Sequence, residues 1–410
     1  MTSLRGRRIL LGVTGGIAAY KSCLLVRRLR EAGATVEVVL TEGGARFVGA
    51  VTFEALSGHP VRTALWRAGA ALDHVRLARE ADLVLVAPAT AHLIARAALG
   101  LADDLLSALL LAREGPVLLA PAMNDRMYAA PPTRQHLASL VERGWYVVGP
   151  ATGCLAEGES DAPGRMSEPE TILRHVERVL TPAGPLTGRH VLVTAGPSRE
   201  PIDPVRLLTN RSSGKMGYRL AEAAWRRGAQ VTLVSGPSAE PPPAGIELLR
   251  FETTAELHEA VAQRLPAADV LIMAAAPADF RPAAPHAAKR PRNEGTLRLD
   301  LEPTEDILSA TRALRRSGAV VVGFALETGD PLEKGRAKLE RKALDLIVIN
   351  DALERGAGFE VDTNKVTILS RRGRTQAVPL ASKRVVADAI LDAVENELSG
   401  RPATVSQPPT

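Results

Sequence analysis

Twice along this chain, short continuous apolar runs alternate with amphipathic stretches long enough for helices, and the second series starts only after a break rich in proline and glycine. The first series reads "RRILLGV", "TVEVVLT", "ADLVLVAPAT", "PVLLAPAM" and "WYVVGP", and the second "HVLVTAGPS", "QVTLVSGPS", "DVLIMAAAPAD", "AVVVGFALE" and "DLIVIND". A strand that is apolar on both faces has to be covered on both, which a parallel sheet between two helical layers achieves. The pattern therefore predicts an α/β chain of two doubly wound, Rossmann-like domains, with ligands at the carboxyl ends of the strands. The expected domains are 1–180 and 189–400, joined by the linker "TPAGPLTG" at 181–188, with 401–410 as a disordered tail. The second domain is expected to close with a hairpin, "KVTILSRRGRTQAVPL", and a helix from Ser382.

A length of 410 residues exceeds what one core usually supports, which agrees with two domains. No 18-residue apolar span appears, and "MTSLRGRRILLGVTGG" enters a strand without a signal-like segment, so the expectation is a cytoplasmic protein with no membrane partner. Two cysteines, Cys23 and Cys154, fit a reducing compartment and form no metal-binding pair. The net charge of +5 raises nucleic acid as a ligand, yet the arginines are interleaved with acids along helices and aromatics make up only 3%. That argues against a base-stacking surface, and no nucleic-acid partner is expected. Lysine is scarce: eight of 51 basic residues. A lysine in a glycine-rich setting then hints at a need for a compact, mobile ammonium.

Motifs cluster after the strands. "GVTGGIAAYK" has glycines at 12, 15 and 16, which misses the G-x-G-x-x-G dinucleotide spacing but still opens backbone N–H groups to one phosphate, with Thr41 able to add a hydroxyl. Thr90 reads as a helix N-cap, Asp103 and Asp104 as acids within an apolar helix, and Asn124 as a side chain that both donates and accepts. His74 is available for proton transfer by its ordinary pKa. In the second half, "LTNRSSGKMGYRLAEAAW" resembles a phosphate loop, but a Walker motif needs glycine at 209 and a hydroxyl at 216, where Thr209 and Met216 stand. Ser212, Ser213 and Gly214 nevertheless leave N–H groups uncovered at a helix N-terminus, which predicts an anion site beside Lys215.

The segments "GVTGGIAAYK", "DHV", "APAT", "GLADDLLS", "PAMNDRMY" and "GRMSEP" together resemble the flavin-dependent cysteine decarboxylases, and the second half resembles the phosphopantothenate-cysteine ligases. Over about residues 5–398 the chain is similar to the bacterial bifunctional coenzyme A biosynthesis family that joins the two. The resemblance implies a flavodoxin-like domain holding FMN near Gly15, Gly16, Ile17, Thr41 and Thr90. It makes His74 the base, gives Asn124 and Met127 to the substrate, and assigns protonation of the enethiolate to a loop cysteine. That loop normally reads L-A-C-G. Here it reads "LAEG", so Glu157 holds the motif position and Cys154 lies three residues earlier, which leaves both as candidate donors. His92 also replaces the family's asparagine. FMN fits a single-phosphate nest, and flavin supplies the electron sink that loss of CO2 next to CH2–SH requires.

For the second half the resemblance implies a CTP-dependent ligase, in which an acyl cytidylate is attacked by cysteine's amine. Asn210 would stabilise that intermediate, with Arg206 nearby and Ser212, Gly214 and Lys215 on the substrate phosphate. Ala274, Ala275, Asp279, Asp306, Ile307 and Phe324 would hold CTP with Lys289, Lys338 and Lys342, and Mg2+ would sit at Asp279. Lys338 and Lys342, four apart, are expected on one helix face. The substrates implied are 4'-phosphopantothenate, cysteine and CTP, and the first product, 4'-phosphopantothenoylcysteine, is the decarboxylase's substrate. The implied assembly is trimers of the first domain and dimers of the second, together a dodecamer. A flavin or nicotinamide oxidoreductase with net redox is the competing class, opposed by the missing G-x-G-x-x-G.

Overall fold

The computed structural model describes residues 4–66, 72–154, 158, 160–289, 298–327, 331–351 and 361–400. It divides into two compact units, Met1–Pro182 and Ala183–Thr410. Among the described residues no helix is long and apolar enough to cross a membrane.

The first unit runs β1 (Arg8–Val13), α1 (Ala19–Glu31), β2 (Thr35–Leu40), α2 (Glu42–Ala45), α3 (Ala50–Ser57), α4 (Asp73–Glu80), β3 (Leu83–Ala89), α5 (Ala91–Leu99), α6 (Leu105–Leu111), β4 (Val117–Pro121), α7 (Asp125–Ala129), α8 (Pro131–Glu142), β5 (Tyr146–Val147) and α9 (Pro169–Leu180). Its strands pair in parallel in the order β2-β1-β3-β4-β5, the flavodoxin-like winding. Side chains alternate across the sheet: Ile9 and Leu11 of β1 pack under α1, α3 and α9, whereas Leu10 packs with α4, α5, α6 and α8. Both cores are mainly aliphatic, and because they cover both faces of the sheet every residue of β3 is buried.

The second unit runs β6 (His190–Ala195), β7 (Arg199–Pro201), β8 (Leu207–Thr209), α10 (Lys215–Arg226), β9 (Gln230–Ser235), β10 (Glu247–Arg250), α11 (Thr254–Arg264), β11 (Val270–Met273), β12 (Phe280–Pro282), β13 (Leu301–Pro303), α12 (Ile307–Ala310), β14 (Val320–Glu327), α13 (Pro331–Arg341), β15 (Leu346–Asp351), β16 (Thr363–Ser370), β17 (Thr375–Ser382) and α14 (Lys383–Ser399). Its main sheet is ordered β10-β9-β6-β11-β14-β15-β16-β17, so the chain starts in the middle, winds to one edge and returns to the other. This is the doubly wound Rossmann order, extended by an antiparallel hairpin at the β15 edge. Tyr218 and Trp225 of α10 share one core with Val386, Ile390 and Val394 of α14, while α11, α12 and α13 cover the other face. Ser382 caps α14 by accepting from the Val385 N–H at 3.4 Å.

Three expectations need correction. Asp103 and Asp104 do not lie within a helix: α5 ends at Gly100, whose φ of +74° suits glycine, and Asp104 is the N-cap of α6. A capping box with Ser107 makes that start stable, and the apolar run on either side had masked the break. Lys342 falls one residue beyond α13, so the helix expected to carry both lysines ends just before the second, although the Lys342 N–H still donates to the Lys338 carbonyl at 3.0 Å. The hairpins β7/β8 and β12/β13 and the edge strand β10 are absent from the sequence reading, since segments of three or four residues carry too little periodicity to register.

Candidate active sites at the carboxyl ends of the two sheets

In the first unit the winding reverses between β1 and β3, and the turns leaving those strands open a cavity of about 1230 Å³. Gly15 and Gly16 enter it from the β1 turn, Thr41 from the end of β2 and Thr90 from the end of β3. The close approach of two backbones explains the glycine at 15, because a Cβ there would stand 2.9 Å from the Gly43 main chain. Thr41 caps α2 by accepting from the Gly44 N–H at 3.1 Å, and Thr90 caps α5 through the Leu93 N–H at 3.4 Å. Thr14, buried beneath, donates to the Pro88 carbonyl at 2.7 Å and accepts from the Thr90 N–H at 3.2 Å, which ties the two turns together.

Ile17, Asn124, Met127, Cys154 and His92 line the same cavity, so the structure gathers nearly every expected first-site residue. Asn124 is the N-cap of α7, where its Oδ1 accepts from the Arg126 N–H at 2.9 Å. His74 does not join them: it sits on α4 away from the lining, and its buried Nδ1 has no hydrogen-bond partner among the described residues. Glu157 lies outside the described residues. The sequence reading missed Arg96, whose side chain is 11% exposed and lines the cavity while bonding Asp103, Asp104 (3.0 Å) and Ser107 (3.1 Å). Its signal was the pair of acids, legible only once they were seen as a loop and cap facing back on α5. Lys21 was noticed for its rarity; it is buried in the wall, donating to Glu168 Oε1 at 2.9 Å and the Met166 carbonyl at 3.2 Å.

In the second unit the reversal lies between β6 and β11. Gly214, with φ of +79°, caps α10, and Ser212, Ser213 and Lys215 line a cavity of about 810 Å³ with Arg250 and Ser238. Lys215 Nζ meets Asp362 Oδ1 at 2.6 Å, and that contact holds the Asp362 carboxyl below the usual carboxylate range. Asn210 bridges to the other side of the reversal, its Nδ2 donating to the carbonyls of Ala276 (3.1 Å) and Pro277 (2.9 Å). Arg206 stands 3.5 Å from Asp203, whose Oδ1 accepts from the Arg206 N–H at 2.8 Å. Neither Arg206 nor Asn210 lines the 810 Å³ cavity.

The expected nucleotide residues do not line that cavity and are spread from the loop after β11 to just beyond the end of α13. Ala274 and Ala275 follow β11, Asp279 is exposed at the end of the same loop, and Phe324 sits within β14. Asp306 stands at the N-cap position of α12 without a side-chain capping bond, next to buried Ile307, and pairs with Lys342 at 3.0 Å. Burial pushes the Asp306 carboxyl up, but the hydrogen bonds from Lys342 and Ser309 outweigh it and leave it below its ordinary value. Lys338 is on α13 and Lys289 is exposed beside residues outside the description. Among the described residues no cluster of three metal-ligating side chains occurs.

Residues 1–181 match the Flavoprotein family, and residues 186–398 match the DNA/pantothenate metabolism flavoprotein C-terminal domain. The chain is 44% identical over 402 residues to the Coenzyme A biosynthesis bifunctional protein CoaBC of Vibrio cholerae, covering 97% of this chain and 100% of that protein. It is 47% identical over 409 residues to the protein of the same name from Mycobacterium tuberculosis, covering 96% and 97%. The Bacillus subtilis protein of that name is 43% identical over 396 residues, covering 95% and 97%. With two domain matches in tandem and full-length likeness on both sides, the chain belongs to the family of coenzyme A biosynthesis bifunctional proteins.

Proposed function

We propose that the chain catalyses two consecutive steps of coenzyme A biosynthesis: residues 189–400 join 4'-phosphopantothenate to cysteine at the expense of CTP, and residues 1–180 decarboxylate the product to 4'-phosphopantetheine. Residues 181–188 link them. The observation that carries the reading is the flavodoxin-like winding with a glycine-lined cavity at its reversal, in a chain alike over its whole length to bifunctional relatives.

The first cavity fits FMN. The Gly15 cradle admits one phosphate against backbone N–H groups, Thr41 and Thr90 add hydroxyls, and Ile17 and Phe47 offer apolar walls for a ring. Bound there, FMN would supply a reversible two-electron sink for the thiol, so that loss of CO2 would need no outside reductant. Asn124 binds the substrate carboxylate, Met127 packs on the substrate, and Cys154 or Glu157 delivers the closing proton. His74 acts as the base. Because it stands off the cavity of its own chain, a second copy supplies it, which favours trimers of this unit; dimers of the second unit would complete a dodecamer. In the second unit Ser212, Gly214 and Lys215 hold the phosphate of phosphopantothenate, and Arg206 and Asn210 steady the activated carboxyl. Ala274, Ala275, Asp279, Asp306, Ile307, Phe324, Lys289, Lys338 and Lys342 take CTP. Asp279 would be the protein carboxylate for a Mg2+ ion bound with the triphosphate, where the ion would neutralise charge on the departing pyrophosphate.

The test is direct. Purified protein should absorb as a flavoprotein and, given phosphopantothenate, cysteine and CTP, release pyrophosphate and then CO2 with no reductant added. Protein that stays colourless after FMN is added, or leaves CTP unconsumed, overturns the corresponding half. Cys154→Ala and Glu157→Gln, each followed for CO2 release and for trapped enethiolate, identify the donor.

A further inference from the structure

A buried carboxylate, Glu200, sits behind the second reversal without lining either cavity. It is only 3% exposed, in the middle of β7, and its Oε1 accepts from both the Thr254 N–H (2.9 Å) and the Thr254 hydroxyl (2.7 Å). A carboxylate that accepts from the first turn of α11 is favoured there by the helix dipole. The network continues inward: Thr254 Oγ1 lies 3.0 Å from Ser198 Oγ, and Ser198 Oγ accepts from the Ala278 N–H at 2.9 Å. Ser198 is fully buried and Thr254 nearly so.

The proton directions follow from the end group. An ionised carboxylate only accepts, so the Thr254 hydroxyl must donate to Glu200. Its oxygen is then left to accept from the Ser198 hydroxyl, which turns the Ser198 lone pairs toward the Ala278 N–H. One charge thus orients a chain Ala278 N–H to Ser198 to Thr254 to Glu200, in a setting where each bond polarises the next. Its two ends are on opposite sides of the reversal. Ser198 belongs to the turn after β6, and its carbonyl accepts from the Thr209 hydroxyl at 2.6 Å, one residue before Asn210. Ala278 belongs to the loop after β11, which Asn210 also grips through Ala276 and Pro277.

We infer that Ser198, Thr254 and Glu200 are positioning residues for the ligase reaction: their oriented hydrogen-bond chain sets the separation between the turn carrying Asn210 and the Ala274–Asp279 loop. This rests on the reading of the second unit given above, in which the first of these steadies the acyl carboxylate and the second holds the nucleotide. The transfer joins those two groups, and a misplacement of 1 Å costs on the order of 100-fold in rate. None of the three side chains lines either cavity, so their loss should act on the rate of activation more than on affinity.

The experiment uses the full-length holoenzyme and steady-state pyrophosphate release from CTP with phosphopantothenate and saturating cysteine supplied, since cysteine is needed to discharge the acyl cytidylate and let the enzyme turn over. Ser198→Ala should lower kcat roughly 10- to 100-fold with KM for CTP changed by less than about 3-fold. Thr254→Val should do the same, and Thr254→Ser, which keeps the hydroxyl, should restore kcat to within about 3-fold of the parent. Glu200→Gln should fall between, since its carbonyl still accepts from Thr254 while its amide no longer fixes the direction. Decarboxylation of supplied phosphopantothenoylcysteine should be unchanged throughout. Wild-type kcat in Ser198→Ala overturns the inference, as does equal loss in Thr254→Val and Thr254→Ser, or a loss carried wholly by KM. Should Thr254→Val fail to fold, the comparison of Ser198→Ala with Thr254→Ser decides. Absence of pyrophosphate release in the unsubstituted chain instead defeats the ligase reading itself.

Discussion

Replacing Glu168 by alanine tests whether the wall of the first cavity is held by a charge taken out of water. The Lys21 side chain is 7% exposed and its ammonium has two acceptors, Glu168 Oε1 at 2.9 Å and the Met166 carbonyl at 3.2 Å, whereas Glu168 is 51% exposed. At such a separation two unit charges attract by about 1.4 kcal/mol in water and about 5.7 kcal/mol at an effective dielectric of 20. The half-exposed partner draws the value toward the lower bound, and desolvation of the ammonium offsets much of the rest. Glu168→Ala leaves a buried ammonium with a single neutral acceptor, so the expected loss is about 2 kcal/mol. Glu168 makes no side-chain cap to α9, and its other partner, Arg165 at 2.7 Å, is an exposed ion pair whose loss adds about 0.5 kcal/mol or less. Lys21→Met removes the charge but keeps an apolar stem, and should cost about 1 kcal/mol or less. For a unit of this size 1 kcal/mol moves Tm by about 2–4 °C. Release of bound flavin on heating, followed by fluorescence, reports the first unit alone: Glu168→Ala should fall by about 4–8 °C, and Lys21→Met by less. The double variant should be no worse than Lys21→Met. Equal single losses that add in the double variant would refute the argument, because the expensive species is the orphaned charge.

Other consequences are as open to measurement. His175 on α9 is pushed down to about 4 by burial and then by Arg178, so the unfolded chain takes its proton first. Stability contributed by the neutral ring is present above about pH 6.5 and lost as pH falls toward 4, by at most about 3 kcal/mol; urea titrations across that window should show the slope, and His175→Gln should flatten it. Gly15→Ala places a Cβ 2.9 Å from the Gly43 main chain, and flavin titration should read a weakening of at least about 10-fold. Asp104→Ala removes both the α6 cap and one partner of Arg96, and should lower the first unit's stability by about 1–3 kcal/mol in denaturant melts, with Asp104→Asn recovering the cap alone. Lys342→Met, which also frees Asp306, should raise the KM for CTP by about 10-fold while leaving decarboxylation untouched.

Strands and their carboxyl-end turns were legible because burial leaves a local trace: β3 is apolar throughout since both its faces are covered, and glycines cluster where backbones meet. Caps such as Thr90 were legible for the same reason, as a hydroxyl immediately before an apolar run. Asp104 was misread because its capping box is invisible inside a run of leucines and alanines until the αL turn at Gly100 is seen. The short hairpins β7/β8 and β12/β13 escaped because their backbone pairs off outside the main sheet, where no hydrophobic period records it.

From residue order alone came two mainly parallel sheets and the small residues, Gly15, Gly16, Ser212 and Ser213, that line the cavities beside them, since each depends on neighbours a few positions apart. The tertiary structure decided which strands lie side by side, and with that which distant turns meet. Period and propensity say which face of a strand is covered but not what covers it. Hence the reach of Asn210 to Ala276, the packing of Arg96 among Asp103, Asp104 and Ser107, and the place of His74 outside the described lining of the cavity became visible only when the winding order was known.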